Sequence, residues 1–162
     1  MHLIKVKGAT GKADTNIEDK FKAAKEAVKK YDFVYCHIKG TDEFSHDGNC
    51  LGKKDFIEKI DGYLPILFGI KNVLLIITGD HSTPCETKEH STDPLPVLVY
   101  PHTIPNDVLC NTNVFKAKPP VGSALSNTKF FTRNGVGVKF SEKDCQKGKL
   151  GRIKQTNLMK KI

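Results

Sequence analysis

Three short polar stretches of this 162-residue chain carry the residue types that bind metal ions. The first contains Asp42 and His46, the second contains the adjacent pair Asp80 and His81, and the third contains His90. Imidazole suits borderline metals such as zinc, manganese, iron and cobalt, whereas carboxylate suits harder ones. Asp42 and His46 are four residues apart, so they would meet on one side of a helical turn. Together the stretches predict a site for divalent metal ions.

Each stretch also has an ordinary structural alternative. An Asp-His pair after a strand is commonly a turn that the carboxylate caps, and a histidine in a polar loop, such as His46, is usually a surface residue. His37 lies inside a predicted strand and is interpreted as a core histidine or as one that contacts a metal ligand rather than the metal itself. Three such stretches at successive strand ends favour the metal site over coincidence.

The elements that must position these residues can be predicted from periodicity. Strands are predicted at 2–7, 33–38, 73–78 and 96–100, and helices after a capping box formed by Thr15 and Glu18 and at about 53–68. Residues 39–52 are polar, contain three glycines and predict a loop. The order β-α-β-α-β-β predicts an α/β fold with helices packed on a mostly parallel sheet. Ligands of such sheets bind beyond the carboxyl ends of the strands, where the polar stretches lie.

The stretch from Pro101 to Asn134 contains four prolines and shows neither strand nor helix periodicity. It predicts a long loop or a partly ordered insertion. Short helices are predicted beyond it, at 141–144 and 157–161.

Composition excludes several classes of protein. With 38% apolar and 27% charged residues, the chain is typical of one soluble globular domain, and its longest apolar stretch, residues 73–77, is too short to span a membrane. The N-terminus has no signal-peptide pattern, and five scattered cysteines argue against a disulfide framework or a Cys-based zinc site, so we expect a cytoplasmic protein with free thiols. The net charge of +8 comes from lysines spread along the chain with only two arginines, which does not favour a nucleic-acid partner.

The order of the motifs resembles that of a known family. Residues 41–48 (TDEFSHDG) and 78–84 (TGDHSTP) are similar to the metal motifs of the alkaline phosphatase superfamily, and more closely to those of its archaeal-type cofactor-independent phosphoglycerate mutases. Residues 7–11, 14–16, 90–97 and 150–153 add to the resemblance, which covers residues 1–100 and about 135–159. It implies a three-layer alkaline-phosphatase-like sheet with helices on both faces. Residues 1–162 would be the C-terminal part of that domain, with a loop-rich insertion at about 101–134.

The resemblance also implies a function. Enzymes of this family interconvert 3-phosphoglycerate and 2-phosphoglycerate, in glycolysis and gluconeogenesis, through a phosphoserine at a two-metal site. The metal is usually manganese, with zinc, magnesium or cobalt in some members. Two cations stabilise the attacking and leaving oxygens of an in-line displacement. By position, Asp42, His46 and His90 match the ligands of one ion, and Asp80 and His81 match ligands of the other.

Two further residues, Lys7 and Arg152, lie near positions that contact substrate in the family. The expected partner is therefore a small phosphorylated substrate. We expect neither a nucleic acid nor a membrane as a partner.

The chain departs from the family pattern in lacking the nucleophile. The family's attacking serine, its first aspartate ligand and its substrate-clamping domain all lie upstream of residue 1, and Ser45, Ser82 and Ser91 fit ordinary motif positions. We therefore expect a C-terminal half, whether from a truncated reading frame, a recombinant fragment or a split subunit, that is inactive alone. An open sheet edge would favour self-association or pairing with the missing half.

Two other functions remain open from the sequence. One is a metal-dependent phosphatase or phosphodiesterase of the same superfamily, and the other is a catalytically inactive metal-binding fragment. The matches at 8–11 and 150–153 lie outside the shared metal motifs and favour the mutase.

Overall fold

The computed structural model describes residues 1–101, 130–131 and 137–138, which belong to two compact units. The first unit comprises Met1–Ile70 and Thr83–Ser91, and the second comprises Lys71–Ser82 and Thr92–Ile162. The helices of the first unit are α1 (Ile17–Ala27), α2 (Gly40–His46) and α3 (Cys50–Tyr63), followed by a 3₁₀ turn (Leu64–Ile66). The strands of the second unit are β1 (Leu74–Ile77), β2 (Leu98–Pro101), β3 (Phe130–Phe131) and β4 (Gly137–Val138).

Helix α1 confirms the helix predicted after the capping box but begins at a different cap. Ile17 and Phe21, four residues apart, are buried at 2% and 4% exposure and therefore lie on the face of the helix that packs inward. The predicted capping box is wrong, because the N-cap is Asn16, whose side-chain oxygen accepts from the backbone N–H of Asp19 at 3.0 Å. The Thr15 hydroxyl instead accepts from the backbone N–H of Thr10 at 3.1 Å. Asn is as good an N-cap as Thr, so the helix begins one residue later.

Helix α2 lies inside the stretch predicted as a loop, and that prediction is wrong. Gly40 begins the helix and packs directly on α3, since a Cβ added there would lie 2.6 Å from the ring of Phe56. The rings of Phe44 and Phe56 stand 5.7 Å apart and complete the contact. The glycine that suggested a loop is therefore the residue that lets the two helices approach each other closely.

Helix α3 is earlier and shorter than the predicted helix at about 53–68. Its N-cap is Asn49, whose side-chain oxygen accepts from the backbone N–H of Gly52 at 2.8 Å. Pro65 lies in the 3₁₀ turn that follows, since proline cannot donate to an α-helical bond. Phe56 and Leu64 are buried, as the apolar pattern predicts, whereas Ile57 remains 42% exposed.

Strands β1 and β2 confirm the strands predicted at 73–78 and 96–100, with shifted ends. Their pairing is antiparallel, with Leu75 opposite Tyr100 and Ile76 opposite Val99, so the prediction of a parallel arrangement is wrong for this pair. An apolar run indicates burial but not the direction of the neighbouring strand. Residues 78–97, which connect the two strands, contain no α-helix, the usual crossover between parallel strands.

Residues 2–7 and 33–38 were predicted as strands, but they form no ladder with any described residue. Leu3, Phe33 and Tyr35 are exposed by 76%, 68% and 70%. β propensity expresses fit to a neighbouring strand, so it does not produce a ladder where no neighbour is in place. The interpretation of His37 as a core histidine is wrong, since it is exposed, and its ring stacks on Tyr35 at 6.0 Å.

Most of the predicted insertion at 101–134 lies outside the described residues. β3 lies within it and pairs antiparallel with β4, which lies just beyond it, so at least residues 130–131 are not loop. The helices predicted at 141–144 and 157–161 also lie outside the described residues. None of the described helices has the length and apolar character that crossing a membrane would require.

Asp61 is a buried acid of α3 without an evident role in the fold. It is 7% exposed, and its Oδ2 atom has no hydrogen-bond partner among the described residues. Burial, and then the neighbouring charge of Glu58, raise the pKa of Asp61 from its usual 3.8 to about 6. Because the folded chain holds this proton more tightly than the unfolded chain, the carboxylate destabilises the fold increasingly as the pH rises from 3.8 to 6.

Substitution of Asp61 by Asn should therefore stabilise the protein at neutral and alkaline pH. We expect the free energy of unfolding at pH 8 to rise by about 1–3 kcal/mol, since one pKa unit corresponds to about 1.4 kcal/mol, and most of this gain to vanish at pH 4. Denaturant unfolding at the two pH values measures it. Asp55→Asn, at an exposed position of the same helix, is the control, and an equal gain for Asp61→Asn at both pH values would contradict the account.

Candidate metal centre

Asp42, His46 and His90 converge in the first unit. One ligand atom from each residue lies within 4.8 Å of those of the other two. Asp42 Oδ1 is 3.3 Å from His46 Nε2 and 3.7 Å from His90 Nε2, and the two imidazole rings are 5.3 Å apart. The Asp42 side chain is 13% exposed, whereas both histidine side chains are about half exposed. The carboxylate therefore lies at the buried end of the cluster, and solvent reaches the cluster from the side of the two imidazoles.

Two different segments supply these side chains. Asp42 and His46 project from one face of α2, as their spacing predicts, because residues four apart are neighbours on a helix. His90 comes from the segment 83–91, which belongs to the same unit. The structure therefore brings together three of the five predicted ligands.

The tautomer of His46 is set by a backbone contact. His46 Nδ1 lies 2.7 Å from the carbonyl oxygen of Lys88. A carbonyl can only accept, so Nδ1 must carry the proton, and the Nε2 atom of the neutral ring then holds a lone pair. Nε2 is the atom that faces Asp42. Histidine ligands of metal ions are commonly oriented by such a bond from the other ring nitrogen.

The Lys88 carbonyl is itself held by an uncommon backbone conformation. Lys88 has a φ of +59°, and its N–H donates to the carbonyl of Pro84 at 2.9 Å. Such a φ is costly for a residue with a Cβ, and costs of this kind concentrate at functional sites. Gly48, which follows α2 and lies beside the Lys88 side chain, has a φ of +72°, a conformation that favours glycine.

The chemistry of this donor set fits a divalent metal ion. The 3.3 Å contact between a carboxylate oxygen and an imidazole nitrogen is favourable when positive charge lies between them, which either a metal ion or a proton on the ring can supply. A mixed set of two imidazoles and one carboxylate suits manganese, zinc, iron or cobalt. The residues present therefore match the group that the sequence predicts.

Asp42 has two further neighbours that the sequence did not reveal. The hydroxyl of Thr83 donates to Asp42 Oδ1 at 2.9 Å, and Lys39 Nζ lies 4.0 Å from Asp42 Oδ2. Lys53 Nζ in turn donates to the carbonyl of Thr83 at 2.9 Å. Thr83 is part of the motif at 78–84, but the contact joins residues 41 positions apart, so no local pattern indicates it.

An open depression of about 310 Å³ adjoins the cluster. Its lining is formed by Gly11, Lys12, Lys39, Asp42, Glu43, His46 and Asp47. Lys12 and Lys39 place positive charge beside the ligands, whereas Asp42, Glu43 and Asp47 add three carboxylates to the same lining. The predicted substrate residue Lys7 is exposed and is not among the lining residues, and Arg152 lies outside the described residues.

Asp80 and His81 belong to the second unit, where they follow β1. Asp80 Oδ1 accepts from the backbone N–H of His81 at 3.2 Å, and Asp80 Oδ2 lies 3.7 Å from His81 Nε2. This is the turn-capping geometry that was the alternative interpretation of the pair, and it leaves the carboxylate 54% exposed. The assignment of the pair as metal ligands stays a prediction.

The family follows from comparison with known proteins. The Metalloenzyme superfamily matches residues 1–161, which is nearly the whole chain. The chain belongs to this superfamily. A solved structure, "Structure of PH0037 protein from Pyrococcus horikoshii", is similar with a TM-score of 0.72 and 33% identity, over 98% of this chain and 41% of that chain. The alkaline-phosphatase-like fold class is thus supported at the level of the superfamily.

Curated relatives carry a more specific name. A 2,3-bisphosphoglycerate-independent phosphoglycerate mutase 1 of Methanocaldococcus jannaschii is 46% identical over 71% of this chain, and a mutase of Methanococcus aeolicus is 50% identical over 67%. A probable mutase of Thermosipho melanesiensis is 36% identical over 91%. The chain spans about 30% of the length of these relatives. The resemblance stated from the motifs is confirmed, and the archaeal proteins are among the relatives.

Removal of one imidazole should disable the cluster. Loss of a residue that supports a metal ligand without binding the metal lowers metal affinity by about 10–100-fold. His46→Ala removes a ligand itself, so we expect it to weaken the binding of Co²⁺ or Mn²⁺ by more than about 100-fold. Isothermal titration, together with the visible absorption of bound Co²⁺, measures the affinity. His37→Ala, which removes an exposed imidazole outside the cluster, should leave the affinity unchanged. Equal affinity of the His46→Ala variant and the unsubstituted chain would contradict the assignment.

Proposed function

We propose that these residues form the metal-binding part of a 2,3-bisphosphoglycerate-independent phosphoglycerate mutase. The enzyme would interconvert 3-phosphoglycerate and 2-phosphoglycerate. The observation that carries the proposal is the convergence of Asp42, His46 and His90 in a chain that is 36–50% identical to proteins of that name. A fold alone supports many activities, so the donor set carries more weight than the architecture.

The described residues would hold and orient the metal rather than react themselves. Asp42 would supply the anionic ligand, and His46 and His90 would each offer a ring nitrogen. Bound divalent ions would polarise the attacking hydroxyl and neutralise charge on the phosphoryl group in transit. Lys12 and Lys39, beside the ligands, would contact the phosphate of the substrate where bound metal ions offset the carboxylates of the same depression. Lys7 and Arg152 remain proposed substrate contacts.

The serine nucleophile of the reaction would come from outside these 162 residues. Ser45 is closest in sequence to the ligands of α2, but it is fully buried and its hydroxyl donates to the carbonyl of Thr41 at 2.9 Å. A hydroxyl in that position cannot approach a substrate. As the resemblance implies, we assign residues 1–162 to the C-terminal part of the phosphatase-like domain, and a phosphoserine pathway to the whole enzyme.

Several finer features belong to the same proposal. Asp80 and His81 would bind a second ion, both ions would be manganese, and the complete domain would have the three-layer sheet of the alkaline phosphatase superfamily. The enzyme would act in glycolysis in the cytoplasm, without a nucleic-acid or membrane partner. The exposed side chains of Leu3, Phe33 and Tyr35 support association with a missing portion or with a second copy.

A chimaera tests the proposed function directly. In it, these 162 residues replace the matching portion of the Methanocaldococcus jannaschii relative, and mutase turnover with Mn²⁺ is followed through coupled enolase. We expect turnover from the chimaera, none from the chimaera that carries His46→Ala, and full turnover with His37→Ala. The chain alone should bind metal without turnover, and light scattering of the same sample should show self-association.

Three outcomes would contradict the proposal. Hydrolysis of a phosphate monoester by the chimaera without mutase turnover would favour the phosphatase alternative. Turnover by the chain alone at an enzyme-like rate would mean that its own residues supply the nucleophile. A chimaera that folds and binds Mn²⁺ but performs neither reaction would favour the inactive metal-binding fragment.

A further inference from the structure

Thr83 is a buried polar residue that forms a hydrogen bond with the carboxylate of the cluster formed by Asp42, His46 and His90. It is 4% exposed, and its hydroxyl donates to Asp42 Oδ1 at 2.9 Å. Oδ1 is the same oxygen that lies 3.3 Å from His46 Nε2 and 3.7 Å from His90 Nε2. The bond therefore acts on the atom around which the cluster is arranged.

Thr83 is held in place from α3. Lys53 Nζ donates to the Thr83 carbonyl at 2.9 Å, and Lys53 lies in the first turns of α3, where its own N–H donates to Asn49. A β-branched side chain has few χ1 rotamers, so fixing the Thr83 backbone also restricts its hydroxyl. The donor therefore has a support from α3 in addition to its bond to Asp42.

The physical effect of such a donor is to orient the carboxylate in advance. The terminal torsion of an aspartate is broad, so an unsupported carboxylate rotates readily. A carboxylate oxygen has two lone pairs, and the threonine bond occupies one while the other remains for a cation. Metal binding then needs less ordering of the ligand, which raises affinity.

We propose that Thr83 is a positioning residue of the metal centre. It orients the Asp42 carboxylate toward the two imidazoles without touching the ion, and Lys53 keeps it there. The inference rests on the proposed metal site and adds to it a residue that determines affinity. Residues that contact a metal ligand but not the metal itself change metal affinity by about 10–100-fold.

Two substitutions of Thr83 separate the hydroxyl from the volume of the side chain. In the full chain, Thr83→Val should weaken Mn²⁺ and Co²⁺ binding by about 10–100-fold, because it removes only the donor. Thr83→Ser should retain the affinity within about threefold, because it keeps the donor. The same substitution removes a buried methyl group, so it should lower the thermal unfolding midpoint of the metal-free protein. The visible spectrum of bound Co²⁺ should change for Thr83→Val and not for Thr83→Ser.

A pair of lysine substitutions gives an independent measurement. Lys53→Met and Lys54→Met each remove one positive charge from α3, but only Lys53 contacts Thr83. Loss of positive charge alone strengthens cation binding, whereas loss of the Thr83 support weakens it. We expect Lys53→Met to bind Mn²⁺ more weakly than Lys54→Met.

The outcomes distinguish this inference from the proposed function. If the unsubstituted chain binds neither Mn²⁺ nor Co²⁺, the metal centre itself is wrong, and the role of Thr83 is wrong with it. If the chain binds metal and Thr83→Val binds equally well, the centre stands and only the positioning role is overturned. Equal loss of affinity in Thr83→Val and Thr83→Ser would assign the effect to packing and would also overturn it.

Discussion

The contact between one carboxylate oxygen and two imidazole nitrogens is the constraint on which the site depends. Asp42 Oδ1 faces the Nε2 atoms of His46 and His90 at 3.3 and 3.7 Å, and the His46 ring is oriented by the bond from its other nitrogen to a backbone carbonyl. Positive charge between these atoms, from a bound cation or from a proton on a ring, makes the arrangement favourable. Asp42 is only 13% exposed, so water screens its charge weakly. The cluster is therefore a place that attracts positive charge.

The scaffold around this contact holds each ligand through a different element. The close approach of Gly40 to Phe56 seats α2 on α3 and thereby fixes Asp42 and His46. The segment 83–91, which carries His90, is attached near its start through Thr83 and near its end through the Lys88 carbonyl. The ligand-bearing segment is therefore bonded to the ligands of the facing helix, so that the geometry of the three side chains is coupled.

The sequence predicted the convergence of Asp42, His46 and His90 better than the structure of their surroundings. The i, i+4 spacing of Asp42 and His46 is local, so it could be interpreted without the fold. The helix that carries them was predicted as a loop because Gly40 serves a contact between helices, which no local pattern shows. The antiparallel partner of β1 and the role of Thr83 depend on residues more than 20 positions away. Long-range contacts of this kind are not encoded in periodicity or capping motifs.

We infer that Asp42, His46 and His90 bind one metal ion, with His46 binding through Nε2. Anomalous X-ray diffraction at the manganese absorption edge, from crystals of the chain grown with Mn²⁺, would locate that ion. We expect an anomalous peak within bonding distance of the Asp42 carboxylate and of an imidazole nitrogen of each histidine, with the His46 Nδ1–Lys88 bond intact. At saturating Mn²⁺, a cluster without a peak, or a peak bound by His46 Nδ1, would contradict it.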